Sequence, residues 1–179
     1  MTNQVGEVEV VRAARSGNAE SFGVLYVRHH ATMVWLAYSI LLDRDLAEDA
    51  AQQAFVKACE KLADLKRLDR FSAWLAAICR NEAHQLLRSR KQRSDCVLPE
   101  QGHVQAFDLD SDGYDSVKKA VDRLAPMYRE VVVLHYYSRM DYRQIASALG
   151  IAGHTVRGRL FRARRQIKRI LKKNGFPRR

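Results

Sequence analysis

The chain has few of the residues that would point to a disulfide scaffold, a metal centre or a disordered segment. Three cysteines in 179 residues (Cys59, Cys79, Cys96) form no CxxC pair and are too scattered for a disulfide framework. The six histidines have no metal-site spacing, since the adjacent His29 and His30 diverge on a helix. Only 3 prolines and 9 glycines break the backbone, and 47% of residues are hydrophobic, so the chain is globular and can pack a core. No long apolar run is present. The longest, Met33 to Leu42, is interrupted by Ser39 and is about half the ~20 residues a bilayer requires. The polar, acidic start from Met1 to Val11 lacks the basic-then-apolar order of a signal peptide. A cytoplasmic protein without membrane insertion is expected.

Acidic charge is also scarce in places, and where it is scarce is informative. The net charge is +11, which makes a polyanion the default partner. Residues 1–64 are net −3, 65–93 net +6, 94–114 net −5 with no basic side chain, and 115–179 net +13. Two basic blocks around an acidic connector imply two separate anion-binding surfaces.

Apolar residues recur at three- and four-residue steps nearly everywhere, and no run alternates with period two. The expected fold class is all-α: two small helical domains joined by a flexible acidic linker. A short helix is predicted from Glu7 to Arg15, ending at Gly17, and a second from Ala19 to Leu42. Asp43 and Asp45 offer caps for a third, from Leu46 to Ala63. A basic loop leads into a fourth from Phe71 to Lys91, with Phe71, Trp74, Leu75, Ile78 and Leu86 as its core stripe. Together these form a helical bundle in residues 1–93. Residues 94–114 lose all periodicity and carry Pro99, Gly102, Gly113 and the tract Asp108 to Asp112, which reads as an extended linker. Residues 115–179 resume with Val117, Val121 and Leu124. Pro126 suits the first turn of the next helix, which carries Val131, Val132 and Leu134.

The most diagnostic stretch follows. Asp141 with Gln144 three residues on has the form of a capping box, opening a short helix that buries Ile145, Ala146 and Leu149. Gly150 supplies a sharp turn, Ile151 packs into it, and a long helix starts near Thr155. Its inner stripe is Val156, Leu160, Ala163, Ile167 and Ile170. Its outer face carries Arg157, Arg159, Arg162, Arg164, Arg165, Lys168, Arg169, Lys172 and Lys173, and no acidic residue occurs from His154 to the C-terminus. This is a helix-turn-helix pattern, whose second helix enters the DNA major groove with its N-terminal residues nearest the bases. His154, Thr155, Arg157, Gly158, Arg159, Arg162 and Arg165 are the candidate base and nearby phosphate contacts, with Lys168 to Lys173 on the backbone. A merely solvated face would mix signs, whereas this one would repel itself without a polyanion. Glycine at 158 would permit close approach to DNA.

Several stretches resemble the bacterial sigma factors of the sigma-70 family, of the compact extracytoplasmic-function type. They are FGVLY from Phe22, LAEDAAQQAF from Leu46, FSAWL from Phe71 with ICRN from Ile78 and LLR from Leu86, YRQIASALG from Tyr142, and TVRGRLFRAR from Thr155. The likeness covers residues 20–92 and 115–173, in the family's order, and departs from its pattern at Leu46, Gln53, Gln85 and His154. The resemblance implies a region 2-like domain in 1–93, a linker in 94–114 and a region 4-like domain in 115–179. It implies that Asp49, Gln52 and Gln53 dock on the clamp helices of core RNA polymerase, with further contact to the flap. It implies that Lys66, Arg67, Arg70, Arg80, Asn81, Arg88, Arg90 and Lys91 meet the minus-ten element, and that the linker threads near the polymerase active centre. Capturing unpaired bases needs stacking and hydrogen bonds to base edges. Asn81 offers a donor and an acceptor, while Phe71 and Trp74 at helical spacing are assigned to the core rather than to stacking. An anti-sigma factor is a further expected partner, and the free chain is expected to be monomeric.

Two other classes are weighed. A stand-alone helix-turn-helix regulator would dimerise and bind palindromic duplex DNA by itself. A nucleic-acid enzyme would need clustered carboxylates, a metal set or an activated nucleophile. No catalytic constellation, metal set or cofactor site is identified.

Overall fold

Short polar side chains and left-handed residues divide the chain into its helices. The computed structural model describes residues 2–94 and 112–173. Helix α1 (Thr2–Arg15) ends at Gly17, whose φ of 93° suits glycine. The Asn18 side chain then accepts the Ser21 N–H at 2.8 Å and starts α2 (Ala19–Leu41). Leu42 closes α2 in the left-handed region (φ 52°), its N–H donating to the Tyr38 carbonyl. Asp43, one of the two expected caps, accepts the Leu46 N–H and opens α3 (Arg44–Lys61), whereas Asp45 falls inside the first turn. Two short 3-10 turns, Leu62–Asp64 and Leu68–Arg70, carry the basic loop into α4 (Phe71–Ser94).

Helices α2, α3 and α4 pack mutually, with α1 laid on α2 and on the loop. The face of α3 toward this core is built from alanine (Ala47, Ala50, Ala51, Ala54, Ala58), all fully buried. Larger side chains on its neighbours fill the space: Leu25, Met33 and Leu36 from α2, Phe71 and Leu75 from α4. Of the expected α4 stripe, Phe71 and Leu75 are fully buried, and Trp74, Ile78 and Leu86 pack partly buried against them. Both aromatic residues therefore serve the core, as their spacing suggested.

The second group is α5 (Asp112–Asp122), α6 (Pro126–Tyr136), α7 (Tyr142–Leu149) and α8 (Gly153–Lys173). Helix α5 starts several residues before the first apolar position used to predict it. The residues of that first turn, Asp112, Gly113, Tyr114 and Asp115, are mostly polar and give no apolar period to read. Pro126 occupies the first turn of α6, as expected. Most of the acidic connector lies outside the described residues. Val131, Leu134, Ile145, Leu149, Val156, Leu160 and Ala163 make the core of this group.

The two groups pack against each other, α2 on α6 and α4 on α7, so that their cores are continuous. Polar and aromatic contacts join the apolar ones. Trp35 stacks on Tyr137, with centroids 5.1 Å apart. The Lys118 ammonium lies 5.7 Å from the Tyr38 ring centre. Burial, assisted by Asp122, pushes the Tyr38 hydroxyl up to about 12.

Candidate nucleic-acid interface

Three local devices aim α8. Asp141 and Gln144 form the complete capping box: Oδ1 of Asp141 accepts the Gln144 N–H at 2.7 Å, and the Gln144 side chain accepts the Asp141 N–H at 2.9 Å. Gly150 (φ 64°) ends α7 in the left-handed conformation, and Ile151 donates back to the Ala146 carbonyl. Val156, Leu160 and Ala163 then fix the rotation of α8 by burial, with Ile167 partly buried beyond them.

That rotation turns His154, Arg157, Arg162, Arg164 and Arg165 fully outward, with Thr155, Gly158 and Arg159 half-buried at the edge. Among the described residues, no arginine or lysine of α8 forms an ion pair. A Cβ at Gly158 would meet nothing within 4 Å, so packing inside the chain does not require glycine there. The residue that sequence reasoning missed is Phe161. It is 60% exposed in the middle of the basic face, with the Arg165 guanidinium 5.7 Å from its ring centre. The signal was available, since position 161 lies outside the buried stripe.

The second surface is more heavily engaged within the chain. Lys66 is exposed. Arg67 donates twice to Asp69, at 3.2 and 2.7 Å, and that bond holds the Asp69 carboxyl below the usual carboxylate range. Arg70 lies 3.7 Å from the same carboxylate. On α4, Asn81 and Arg88 are exposed, and Arg90 reaches Asp43 at 3.2 Å. A shallow groove runs between Arg80, Asn81, His84, Gln85 and Arg88. Arg80 does not point freely into it, because its Nε donates to Glu130 of α6 at 2.6 Å. The side chain of Lys91 lies outside the described residues.

Asp49, Gln52 and Gln53 are all exposed along one side of α3, and Val56, 51% exposed, extends the same side. Among the described residues, no group of three or more His, Cys, Asp or Glu could hold a metal ion, and no helix is long and apolar enough to cross a membrane.

Comparisons with known proteins find one family in both halves of the chain. The model of sigma-70 region 2 matches residues 25–93, and that of sigma-70 region 4 matches residues 114–167. The RNA polymerase sigma-H factor of Pseudomonas aeruginosa is 26% identical over 186 residues, covering 96% of each chain. A Xanthomonas campestris pv. campestris protein named "Probable RNA polymerase sigma factor RfaY" is 29% identical, and the match covers 88% of this chain but only 42% of that protein. Among solved structures, the sigma factor RpoE of Bartonella quintana, in complex with the anti-sigma factor NepR, is similar with a TM-score of 0.74 and 29% identity. That match covers 86% of this chain and 98% of the other.

Proposed function

This chain belongs to the extracytoplasmic-function type of the sigma-70 family, and from that premise we propose how it directs core RNA polymerase to specific promoters. Helix α8 reads the minus-thirty-five element as duplex, through His154, Thr155, Arg157, Gly158, Arg159, Arg162 and Arg165. The loop residues Lys66, Arg67 and Arg70 and the α4 residues Arg80, Asn81, Arg88 and Lys91 capture the melted minus-ten strand. Asp49, Gln52 and Gln53, with Val56 beside them, dock on the clamp helices, and the 115–179 unit meets the flap.

One observation carries this reading: a helix with a basic face free of acidic residues, aimed by a capping box and a left-handed glycine, whose cations form no ion pair among the described residues. Such a face is stabilised by phosphates, with Arg157 and Arg162 close enough to the helix N-terminus to reach base edges. Phe161 adds an apolar contact suited to a thymine methyl. Asn81 is an exposed amide on α4 and can pair with an unstacked base. The chain initiates transcription by positioning and strand capture rather than by covalent chemistry. Because a similar solved sigma factor is held by an anti-sigma factor, we propose that this chain too is sequestered by one.

The test is run-off transcription from a pooled promoter library, using bacterial core polymerase with and without the protein. Sequence-specific start sites that require the protein are expected. Absence of such sites, together with a dimer that footprints duplex DNA alone, would replace this reading with a stand-alone regulator.

A further inference from the structure

Arg139 occupies a strained backbone position, and no contact of its guanidinium among the described residues compensates for it. It lies in the turn between α6 and α7 at φ 50°, in the left-handed region, and the Met140 N–H beyond it returns to the Leu134 carbonyl at 3.1 Å. Glycine meets the same demand at Gly17 and Gly150 without a Cβ to strain. Leu42, the other non-glycine residue in this region among those described, packs its side chain on the core. Arg139 is instead exposed, and its guanidinium makes no hydrogen bond or ion pair among the described residues. A strained residue without a partner of its own points to one from outside the chain.

Arg139 borders a cavity of about 340 Å³, a size that suits a small organic molecule. Arg28 of α2 borders it too, also exposed and without a partner for its guanidinium among the described residues. The Ser138 hydroxyl lines the same space, buried and with no hydrogen-bond partner. Two acids are present as well. Asp69 is already committed to Arg67 and Arg70. The Glu7 carboxylate lies 3.2 Å from His29 Nε2, out of line for a hydrogen bond, and keeps capacity to accept one.

We propose that this cavity binds a small hydroxylated phosphate monoester, of the size of a sugar phosphate. Arg28 and Arg139 take the phosphate, whose oxygens match the planar donor fork of arginine. Ser138 donates its unused hydroxyl to the same group, and Glu7 accepts from a hydroxyl of the sugar. A carboxylate beside the cations disfavours a bare polyanion and favours a ligand that also carries donors. None of the residues assigned above to DNA or to polymerase lines this cavity, so the proposal stands independently of the promoter reading.

The test is isothermal titration calorimetry of the full chain with ribose 5-phosphate, and with inorganic phosphate as the anionic half of that ligand. Ribose 5-phosphate should bind saturably at one site, at least about tenfold more tightly than inorganic phosphate. Arg28→Ala and Arg139→Gly should each weaken it at least about tenfold. Arg123→Ala, which removes the same charge from an exposed position outside the cavity, should bind as the parent does. No saturation by about 10 mM ribose 5-phosphate, or equal weakening in all three variants, overturns the site. Inorganic phosphate binding as tightly as ribose 5-phosphate overturns the role given to Glu7. Arg139→Gly also relieves the strain, so without ligand its melting temperature should match or exceed that of the parent. A variant that melts lower yet binds as the parent does would make Arg139 a residue of the turn alone and remove it from the site. Should Arg139→Gly fail to fold by circular dichroism, Arg139→Asn, which tolerates the left-handed region, is read in its place.

Discussion

The Arg129 guanidinium on α6 donates from Nε to the Ser39 carbonyl in the last turn of α2, at 2.6 Å, across ninety residues of sequence. Its Nη1 serves the carbonyls of Asp122 and Leu124, at 2.9 and 2.7 Å. One side chain therefore satisfies a carbonyl in the last turn of α2, one at the end of α5 and one two residues past it, where the helix dipole also favours a cation. Arg129 is 4% exposed, and burial pulls its pKa below the usual arginine value while Asp122 opposes that. Serving three carbonyls from one buried position suits the planar fork of arginine.

Arg129→Leu should destabilise the chain by about 2–4 kcal/mol, since three carbonyls lose their donor. Arg129→Lys should recover only part of the loss, because an ammonium lacks the fork geometry. Urea unfolding of the three proteins measures this, and a leucine variant within error of the parent would remove Arg129 from the joint.

Gly158→Leu separates folding from DNA binding. A side chain there meets nothing within the chain, and replacing a mid-helix glycine stabilises a helix by about 1 kcal/mol. Thermal stability should stay level or rise, while affinity for a duplex minus-thirty-five site falls at least tenfold. Unchanged affinity in a gel-shift titration would show that α8 does not approach DNA at this position.

Arg157→Ala and Arg162→Ala remove exposed cations that form no ion pair among the described residues, so neither should alter the melting temperature. If each contacts DNA, the log–log salt dependence of promoter binding should flatten by about one unit per phosphate contact removed. A base contact would instead relax sequence preference at one position. A variant showing neither change would be struck from the interface.

The capping box sets the start of α7 and, through it, the direction of α8. Asp141→Ala breaks the acceptor for the Gln144 N–H and should cost about 1 kcal/mol. Gln144→Ala frees only the Asp141 N–H, which is at the surface, and should cost less. Denaturant titration gives both values, and the reverse order would mean that the reciprocal bond dominates.

His84, on α4 and 3.9 Å from the Glu130 carboxylate of α6, makes stability sensitive to acid. Burial holds its pKa below the usual imidazole value, with Arg80 and Arg88 adding to the effect and Glu130 opposing it. The folded chain thus binds this proton less readily than the unfolded one. Its contribution to stability is complete above about pH 6.5 and is lost as pH falls through the lower folded value. His84→Gln should reduce the fall in melting temperature between pH 7 and pH 5. A variant whose melting temperature falls as steeply as that of the parent would assign the acid sensitivity to other groups.

Much of this protein was legible from local order alone. The helix starts at Asn18, Asp43 and Asp141 depend on a side chain reaching an N–H three residues on, so sequence specifies them directly. The turn at Gly150 and the buried stripe of α8 are equally local, and together they fix which arginines face outward. The unipolar face itself needs no coordinates, because charge order is a property of the sequence. Boundaries were less legible where a helix end is polar in sequence, as at Asp112, Gly113 and Asp115 at the start of α5. Phe161 was overlooked because attention to charge passed over an apolar residue outside the core stripe.

Tertiary structure alone decided which cations are free and which are committed. Arg80, Arg129 and Arg157 look alike in sequence. One is paired to Glu130, one is buried against three carbonyls, and one is open to solvent. The first two partnerships span fifty and ninety residues, and no local pattern encodes contacts at that separation. They exist because α2 and α4 bring their faces to α6 and α7, where the buried Glu130 carboxylate takes its donor from α4 and the Ser39 carbonyl of α2 takes its donor from α6.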